Sequence, residues 1–171
     1  MTYFMEYESP LGSLLLTSDG ERLTGLYFAG ENGRPVIGTV WRHAPELLVL
    51  EQACRETAEY FHAGRRRFDV ALAPAGTAFE SRVWEAISRI AYGATTSYQS
   101  LAASIGHPRA ARAVGAATGR NPIGIIIPCH RVVGASGALT GYTGGLERKR
   151  ALLELESKAG SPQRSAAFLS A

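Results

Sequence analysis

Residues 95–118 read Thr-Thr-Ser-Tyr-Gln-Ser-Leu-Ala-Ala-Ser-Ile-Gly-His-Pro-Arg-Ala-Ala-Arg-Ala-Val-Gly-Ala-Ala-Thr. The first polar residues can cap a short helix that ends at Ile105, and the Gly-His-Pro that follows is typical of a turn. The composition then predicts a second helix from Arg109 to Thr118. Two short helices joined in this way form a helix-turn-helix, which favours DNA binding. Many helical hairpins of this kind bind nothing, so the pattern alone leaves the function open.

Small residues cover one side of the second predicted helix. They are Ala110, Ala111, Ala113 and Gly115. A helix without large side chains can bring its backbone close to a flat or narrow surface. Close packing against another helix inside the protein explains the same residues, and both interpretations stay open.

The sequence before this motif divides into two parts near Gly76. After it, Thr77 and Glu80 have the spacing of a capping box and begin an amphipathic helix that Tyr92 and Gly93 end. Before it, the first thirty residues alternate between apolar and polar, as in a small antiparallel sheet with tight turns. Three further segments precede the break: a loop over 31–45, a helix from Pro45 to Gly64 and a strand from Arg66 to Leu72.

We therefore predict an α/β fold of the α+β kind. Residues 1–76 form a small amino-terminal antiparallel sheet with a helix, and residues 77–156 form a mostly helical domain that contains the helix-turn-helix. We expect residues 157–171, rich in serine and alanine, to be a disordered tail.

The composition excludes several classes of protein. The 171 residues contain no apolar run that could span a bilayer, and residues 1–7 lack the pattern of a secretory signal, so we expect a cytoplasmic protein without membrane contact. Two cysteines cannot form the framework of a small secreted fold. The net charge of +3 permits an anionic partner without requiring one.

Cys129 is the candidate nucleophile. It follows an apolar segment of strand-like composition, residues 121–128, and precedes a glycine-rich loop and a helix predicted from Leu146 to Glu156. A cysteine is nucleophilic as its thiolate, which a neighbouring base or positive charge favours, and His130 and Arg131 follow directly. A thiol hydrolase, or a DNA-binding regulator whose cysteine is incidental, would also fit these residues.

Three motifs in this region are more specific. They are Asn121-Pro122, then Pro128-Cys129-His130-Arg131-Val132, then Gly141-Tyr142-Thr143-Gly144-Gly145. In order and spacing they resemble the signature of the O6-alkylguanine-DNA alkyltransferases, also called methylated-DNA–protein-cysteine methyltransferases. The resemblance covers residues 77–156 almost continuously and the amino-terminal part more loosely, through residues 9–12.

The resemblance implies DNA repair. Cys129 would take a methyl or other alkyl group from O6-alkylguanine in double-stranded DNA, irreversibly and once per molecule, after the damaged base is flipped out of the helix. O4-methylthymine stays open as a second substrate. The alternative is a protein that recognises the lesion without transfer, but such relatives replace the acceptor cysteine, which this chain retains.

Further roles follow from the resemblance. His130 would accept the thiol proton through a water molecule, and Glu156 would orient that histidine. Tyr98 would donate to guanine N3, and Lys149 would lie near the site. The base pocket would comprise Val132, Tyr142, Thr143 and Asn121, with Thr143 contacting O6.

The DNA contacts follow in the same way. Arg112 would fill the place of the flipped base, and the small-residue helix face would enter the minor groove. Thr140 and Gly124 stand where relatives differ in bulk at the pocket wall. The resemblance implies no cofactor and a monomer, with cooperative binding along DNA left open. Because Cys54, His43 and His62 make a poor zinc site, we expect no metal.

Overall fold

The computed structural model describes residues 1–160, and the remainder of the predicted tail lies outside the described residues. The strands are β1 (Tyr3–Ser9), β2 (Gly12–Ser18), β3 (Leu23–Phe28), β4 (Arg42–His43), β5 (Thr96–Ser97) and β6 (Val132–Val133). The helices are α1 (Leu48–His62), α2 (Ala78–Ser88), α3 (Tyr98–Ser104), α4 (Ala111–Gly119) and α5 (Leu146–Gly160). An α-helix/β-sheet lobe and a mostly helical lobe result, which confirms the predicted fold class.

The amino-terminal sheet has the strand order β3-β2-β1-β4. Strands β1, β2 and β3 pair antiparallel as predicted, whereas the two-residue β4, inside the predicted loop, pairs parallel with β1. Leu14, Leu15 and Leu16 of β2 are all fully buried. Since successive side chains of a strand point to opposite faces, this central strand is covered on both sides.

The predicted strand from Arg66 to Leu72 is wrong. In this segment only Leu72 makes a ladder contact, a single bridge to Leu23. The buried carboxylate of Glu56 on α1 accepts the backbone N–H groups of Asp69 and Val70, at 2.9 and 3.2 Å. These donors are thus satisfied by a side chain instead of a neighbouring strand.

The helical lobe begins as predicted. Thr77 and Glu80 form the capping box, with Thr77 Oγ1 accepting from Glu80 N at 3.1 Å and Glu80 Oε2 accepting from Thr77 N at 2.9 Å. The Ser97 side chain caps α3. Helix α4 begins at Ala111, later than predicted, because residues 107–110 close a turn with Ala110 N donating to His107 O.

Residues 121–128 form turns despite their strand-like composition. The Asn121 side chain accepts from Ile123 N and donates to Ile127 O, which folds the segment back on itself. Ile125 takes a φ of 67°, a left-handed conformation that is strained for a β-branched residue. Ile123, Ile125 and Ile127 are buried in the core, which holds the segment in this conformation.

The two lobes share one core. The buried cluster includes Leu26 of β3 together with Val83 of α2 and Ile123. Main-chain hydrogen bonds join Leu26 N to Pro122 O and Gly124 N to Leu26 O, at 2.9 and 3.0 Å. Helix α5 continues past Glu156 into the predicted tail. Across residues 1–160, every helix is too short or too polar to cross a membrane.

Candidate active site

Cys129 starts a short 3-10 turn, Cys129–Arg131, that leads from the folded-back segment into β6. The residue is 5% exposed and lines a cavity of about 500 Å³ beside the helix-turn-helix. Six other predicted site residues line the same cavity: Tyr98, Ala111, Arg112, Gly115, Tyr142 and Thr143. The fold therefore brings the candidate nucleophile and the small-residue helix to one opening.

His130 and Glu156 form a buried pair behind the cysteine. Both are fully buried, and His130 Nε2 lies 2.9 Å from Glu156 Oε1. The other ring nitrogen, Nδ1, is also buried and has no hydrogen-bond partner among residues 1–160. A buried polar atom without a partner is costly, so a functional reason is expected for it.

Donors from three residues surround the Glu156 carboxylate. Arg131 Nη2 lies 2.6 Å from Oε1, and Arg131 Nε lies 3.0 Å from both carboxylate oxygens. The hydroxyl of Tyr60, on α1 in the amino-terminal lobe, donates to Oε1 at 3.1 Å. Glu156 is therefore held as a charged acceptor in a fixed orientation.

The pKa directions define the protonation states. Burial acts to raise the pKa of Glu156, but hydrogen bonds and charges from His130 and Arg131 lower it to about 2. Burial lowers the pKa of His130, against the opposing effect of Glu156, which favours the neutral ring. An ionised carboxylate can only accept, so the single ring proton belongs on Nε2 and the Nδ1 lone pair is left as an acceptor.

The thiol itself is protonated in the free protein. Burial raises the pKa of Cys129 to about 11, while the side-chain amide of Asn121 and the charge of Lys149 act to lower it. A thiol of this kind is a weak nucleophile at neutral pH. Chemistry at Cys129 therefore needs proton removal during the reaction, and the neutral His130 has a free lone pair for that purpose.

Three predicted site residues lie behind the cavity and support it. Lys149 is fully buried and donates to the carbonyls of Val132 and Thr140, at 2.6 and 2.7 Å. It therefore fixes β6 and the glycine-rich loop. The Val132 carbonyl keeps a second lone pair for a ligand. Asn121 braces the active-site segment through the two bonds described above.

Two side chains that were predicted to contact the base already donate hydrogen bonds within the protein. The Tyr98 hydroxyl donates to Thr140 O at 3.2 Å, so it must leave that acceptor before it can donate elsewhere. The Thr143 hydroxyl donates to Glu31 at 2.8 Å. The expectation that Gly124 lies at the pocket wall is wrong. This residue packs against β3, where an added Cβ would lie 3.4 Å from Leu26 O.

The surface of α4 remains open. Arg112 and Ala113 are exposed, while Ala110, Ala111 and Gly115 are half-buried, so these small residues are not fully packed inside the protein. An added Cβ on Gly115 would contact the Tyr98 ring at 3.7 Å. This face can therefore approach another surface closely.

Sequence reasoning missed the residues that the amino-terminal lobe contributes. Tyr60 contacts Glu156, Glu31 contacts Thr143, and Asn32 lines the cavity. Tyr60 follows the apolar pattern of α1, and Glu31 lies in an irregular loop, so neither carried a signal of its own. Within residues 1–160, no group of three or more histidine, cysteine, aspartate or glutamate side chains is arranged to hold a metal.

A helix-turn-helix that borders a cavity with a buried cysteine and a His–Glu pair defines a protein with thiol chemistry next to a candidate DNA-binding surface. The model of the 6-O-methylguanine DNA methyltransferase DNA-binding domain matches residues 78–158, and the model of the ribonuclease-like domain of the same family matches residues 2–74. The chain belongs to the 6-O-methylguanine DNA methyltransferase family.

Individual relatives agree. A methylated-DNA–protein-cysteine methyltransferase of Methanosarcina acetivorans is 45% identical over 154 residues, covering 90% of this chain and 97% of the relative. One from Mycobacterium tuberculosis is 48% identical over 156 residues, with coverage of 91% and 93%. The Mycobacterium tuberculosis OGT structure, solved in complex with DNA, superposes with a TM-score of 0.84 at 48% identity, covering 92% and 94% of the two chains.

Proposed function

We propose that this chain repairs O6-methylguanine in double-stranded DNA by transferring the methyl group to Cys129. The observation that carries the proposal is the position of the buried thiol: it lies in the cavity beside α4, with the His130–Glu156 pair behind it. The names of the relatives describe the same activity. The protein acts as a methylated-DNA–protein-cysteine methyltransferase that works once per molecule.

The reaction starts with proton transfer. The Cys129 Sγ proton passes to His130 Nδ1 through a bridging water, and the Glu156 carboxylate stabilises the resulting imidazolium. The thiolate attacks the carbon attached to O6: the S–C bond forms, the C–O6 bond breaks and the electron pair leaves with guanine. The guanine anion takes a proton from water, and His130 returns its own proton to solvent. The thioether product has no good leaving group, so the protein stays alkylated.

The remaining residues bind the substrate. A stacked base cannot reach a cavity inside the protein, so the nucleotide must be flipped out of the duplex. Arg112 fills the space that it leaves, and the small residues of α4 lie in the minor groove. Tyr98 and Thr143 contact the flipped base, while Lys149 and Asn121 hold the main chain around it. The cytoplasmic location and the monomeric state stay predictions.

The test is the intact mass of the protein after incubation with duplex DNA that contains O6-methylguanine, with Cys129→Ala alongside. We expect the wild type alone to gain one methyl group, about 14 mass units, in a stoichiometric reaction. Cys54→Ala is the matched control and should gain the same mass, since Cys54 is a half-buried free thiol on α1 that does not line the cavity. Lesion binding without any gain in mass would favour the recognition-only alternative.

A further inference from the structure

Glu31, in the loop after β3, reaches from the amino-terminal lobe to the candidate active site. Its Oε1 accepts the hydroxyl proton of Thr143 at 2.8 Å, and its Oε2 accepts the main-chain N–H of Phe28 at 2.7 Å. Burial raises the pKa of Glu31, whereas these hydrogen bonds and the nearby arginines 148 and 34 favour its charged form. The carboxylate is thus fixed at both oxygens next to a residue that lines the Cys129 cavity.

The contact decides what Thr143 can offer a ligand. A hydroxyl has one proton, and that of Thr143 is directed at Glu31. The hydroxyl oxygen can then present only lone pairs to the cavity. The main-chain N–H is therefore the donor of Thr143 that is left for a ligand oxygen.

The loop that carries Thr143 is held mainly by its main chain. Lys149 Nζ binds the Thr140 carbonyl at 2.7 Å, and Arg148 Nη1 binds the Gly144 carbonyl at 3.3 Å. Both donors come from α5, and the carbonyls that accept from them lie on either side of Thr143 in sequence. The Glu31 contact is different because it fixes the side chain of Thr143 itself, and it does so from the other lobe.

We propose that Glu31 is a positioning residue for the transfer reaction: by holding the Thr143 hydroxyl it orients this residue so that its main-chain N–H faces the O6 atom of the flipped guanine. The inference rests on the proposed function. The amino-terminal lobe then belongs to the reacting site, since it sets the donor that stabilises charge on the leaving base.

The experiment is a double-mutant cycle with Glu31→Ala and Thr143→Val, measured as single-turnover methyl transfer over a range of lesion-DNA concentrations. Because each change removes the Glu31–Thr143 contact, a hydrogen bond to a charged group, each single variant should lower the saturating rate by about tenfold. The double variant should lose no more than the more impaired of the two single variants. The DNA concentration at half-saturation should stay within about twofold of wild type, since α4 is unchanged.

Glu6→Gln is the control. Glu6 on β1 binds Arg34 of the same loop at 2.9 Å, so this change loosens the loop without touching Thr143. It should leave the saturating rate at the wild-type value. If Glu31→Ala unfolds, Glu31→Gln replaces it in the cycle; it keeps one acceptor oxygen, and its smaller loss must also vanish in the Thr143→Val background.

The outcomes are distinct. Wild-type protein that transfers no methyl group overturns the proposed function itself. Wild-type transfer with an unchanged rate in the Glu31 variants, losses that multiply in the double variant, or an equal loss in Glu6→Gln would each overturn the role of Glu31 alone.

Discussion

Glu156 combines a catalytic and a structural requirement in one side chain. It accepts from His130, Arg131 and Tyr60 while it is fully buried. Glu156→Gln keeps the shape but removes the charge that orients the histidine and neutralises Arg131. Because hydrogen bonds to charged groups contribute about 1.5–3 kcal/mol, we expect transfer to slow by about ten- to a hundredfold in rapid-quench assays.

The same substitution should lower stability. Arg131 would remain buried without its counter-charge, which costs about 3 kcal/mol or more. Urea unfolding followed by circular dichroism measures this loss. Glu154→Gln, an exposed position on the same helix, is the matched control and should change neither the rate nor the stability. Normal transfer in Glu156→Gln would remove Glu156 from the mechanism.

The lowered pKa of Glu156 also predicts how stability depends on pH. The value of about 2 in the folded protein lies below the ordinary value of 4.5, so the unfolded chain binds more protons between these two values. The contribution of Glu156 is therefore complete above about pH 4.5 and is lost as the pH falls towards 2, by about 3 kcal/mol in total. Unfolding free energies of the wild type and Glu156→Gln, compared from pH 7 to pH 3, should converge as the pH falls. Parallel curves would contradict this assignment.

At the scale of elements, local sequence signals identified the helices well. The Thr77–Glu80 capping box and the Ser97 cap begin α2 and α3 where the sequence predicts. Such caps depend on residues three positions apart, so they can be read without the fold. The strand predicted over residues 66–72 is wrong because the side chain of Glu56, 13 positions from Asp69, binds the backbone there. Residues 121–128 form turns despite their composition because the Asn121 side chain binds the main chain two and six positions further on.

The site divides in the same way. Cys129 and His130 are adjacent in sequence and could be found by their motif, whereas the contact between Tyr60 and Glu156 spans 96 positions. Tyr60 occupies an ordinary core position of an amphipathic helix. Its hydroxyl reaches Glu156 only because the two lobes pack together, and the hydrophobic periodicity of a helix does not predict such a contact. The Glu31–Thr143 contact spans 112 positions and was missed for the same reason.

Helix α4 gives a prediction about base flipping. Arg112 is exposed and lines the cavity, so its proposed role in filling the vacated space matters for duplex DNA alone. Arg112→Ala should therefore slow transfer from duplex DNA by at least about tenfold while leaving reaction with the free modified base nearly unchanged.

The control is Arg109→Ala. Arg109 is an exposed arginine just before α4 that does not line the cavity, so its loss should reduce duplex affinity slightly through charge alone. Equal losses on duplex and free base in Arg112→Ala would contradict the flipping role. If Arg112→Ala and Arg109→Ala slow transfer from duplex DNA equally, Arg112 contributes to DNA binding only through its charge.

At the scale of the whole molecule, the two lobes act as one unit. Arg148 of α5 donates to the carbonyls of Leu11 and Ala29 and lies 4.7 Å from the centre of the Phe28 ring. Tyr60 and Glu31 bring the amino-terminal lobe into the active site. A lobe that supplies hydrogen bonds to the reacting groups cannot move independently without disturbing the chemistry.

Cooperative unfolding follows from this shared core, and the two tryptophans can test it. Trp41 lies in the amino-terminal lobe, and Trp84 is buried on α2, where its Nε1 donates to Ala117 O. Trp84→Phe leaves fluorescence from Trp41, and Trp41→Phe leaves that from Trp84. In each variant, the urea transition of the remaining tryptophan should coincide with that of far-ultraviolet circular dichroism, because the core cluster contains side chains from both lobes.

A Trp41 transition that precedes the loss of helix would instead mean that the amino-terminal lobe opens first. Since that opening would remove the Tyr60 bond to Glu156, methyl transfer should then fail at urea concentrations where α4 is still folded.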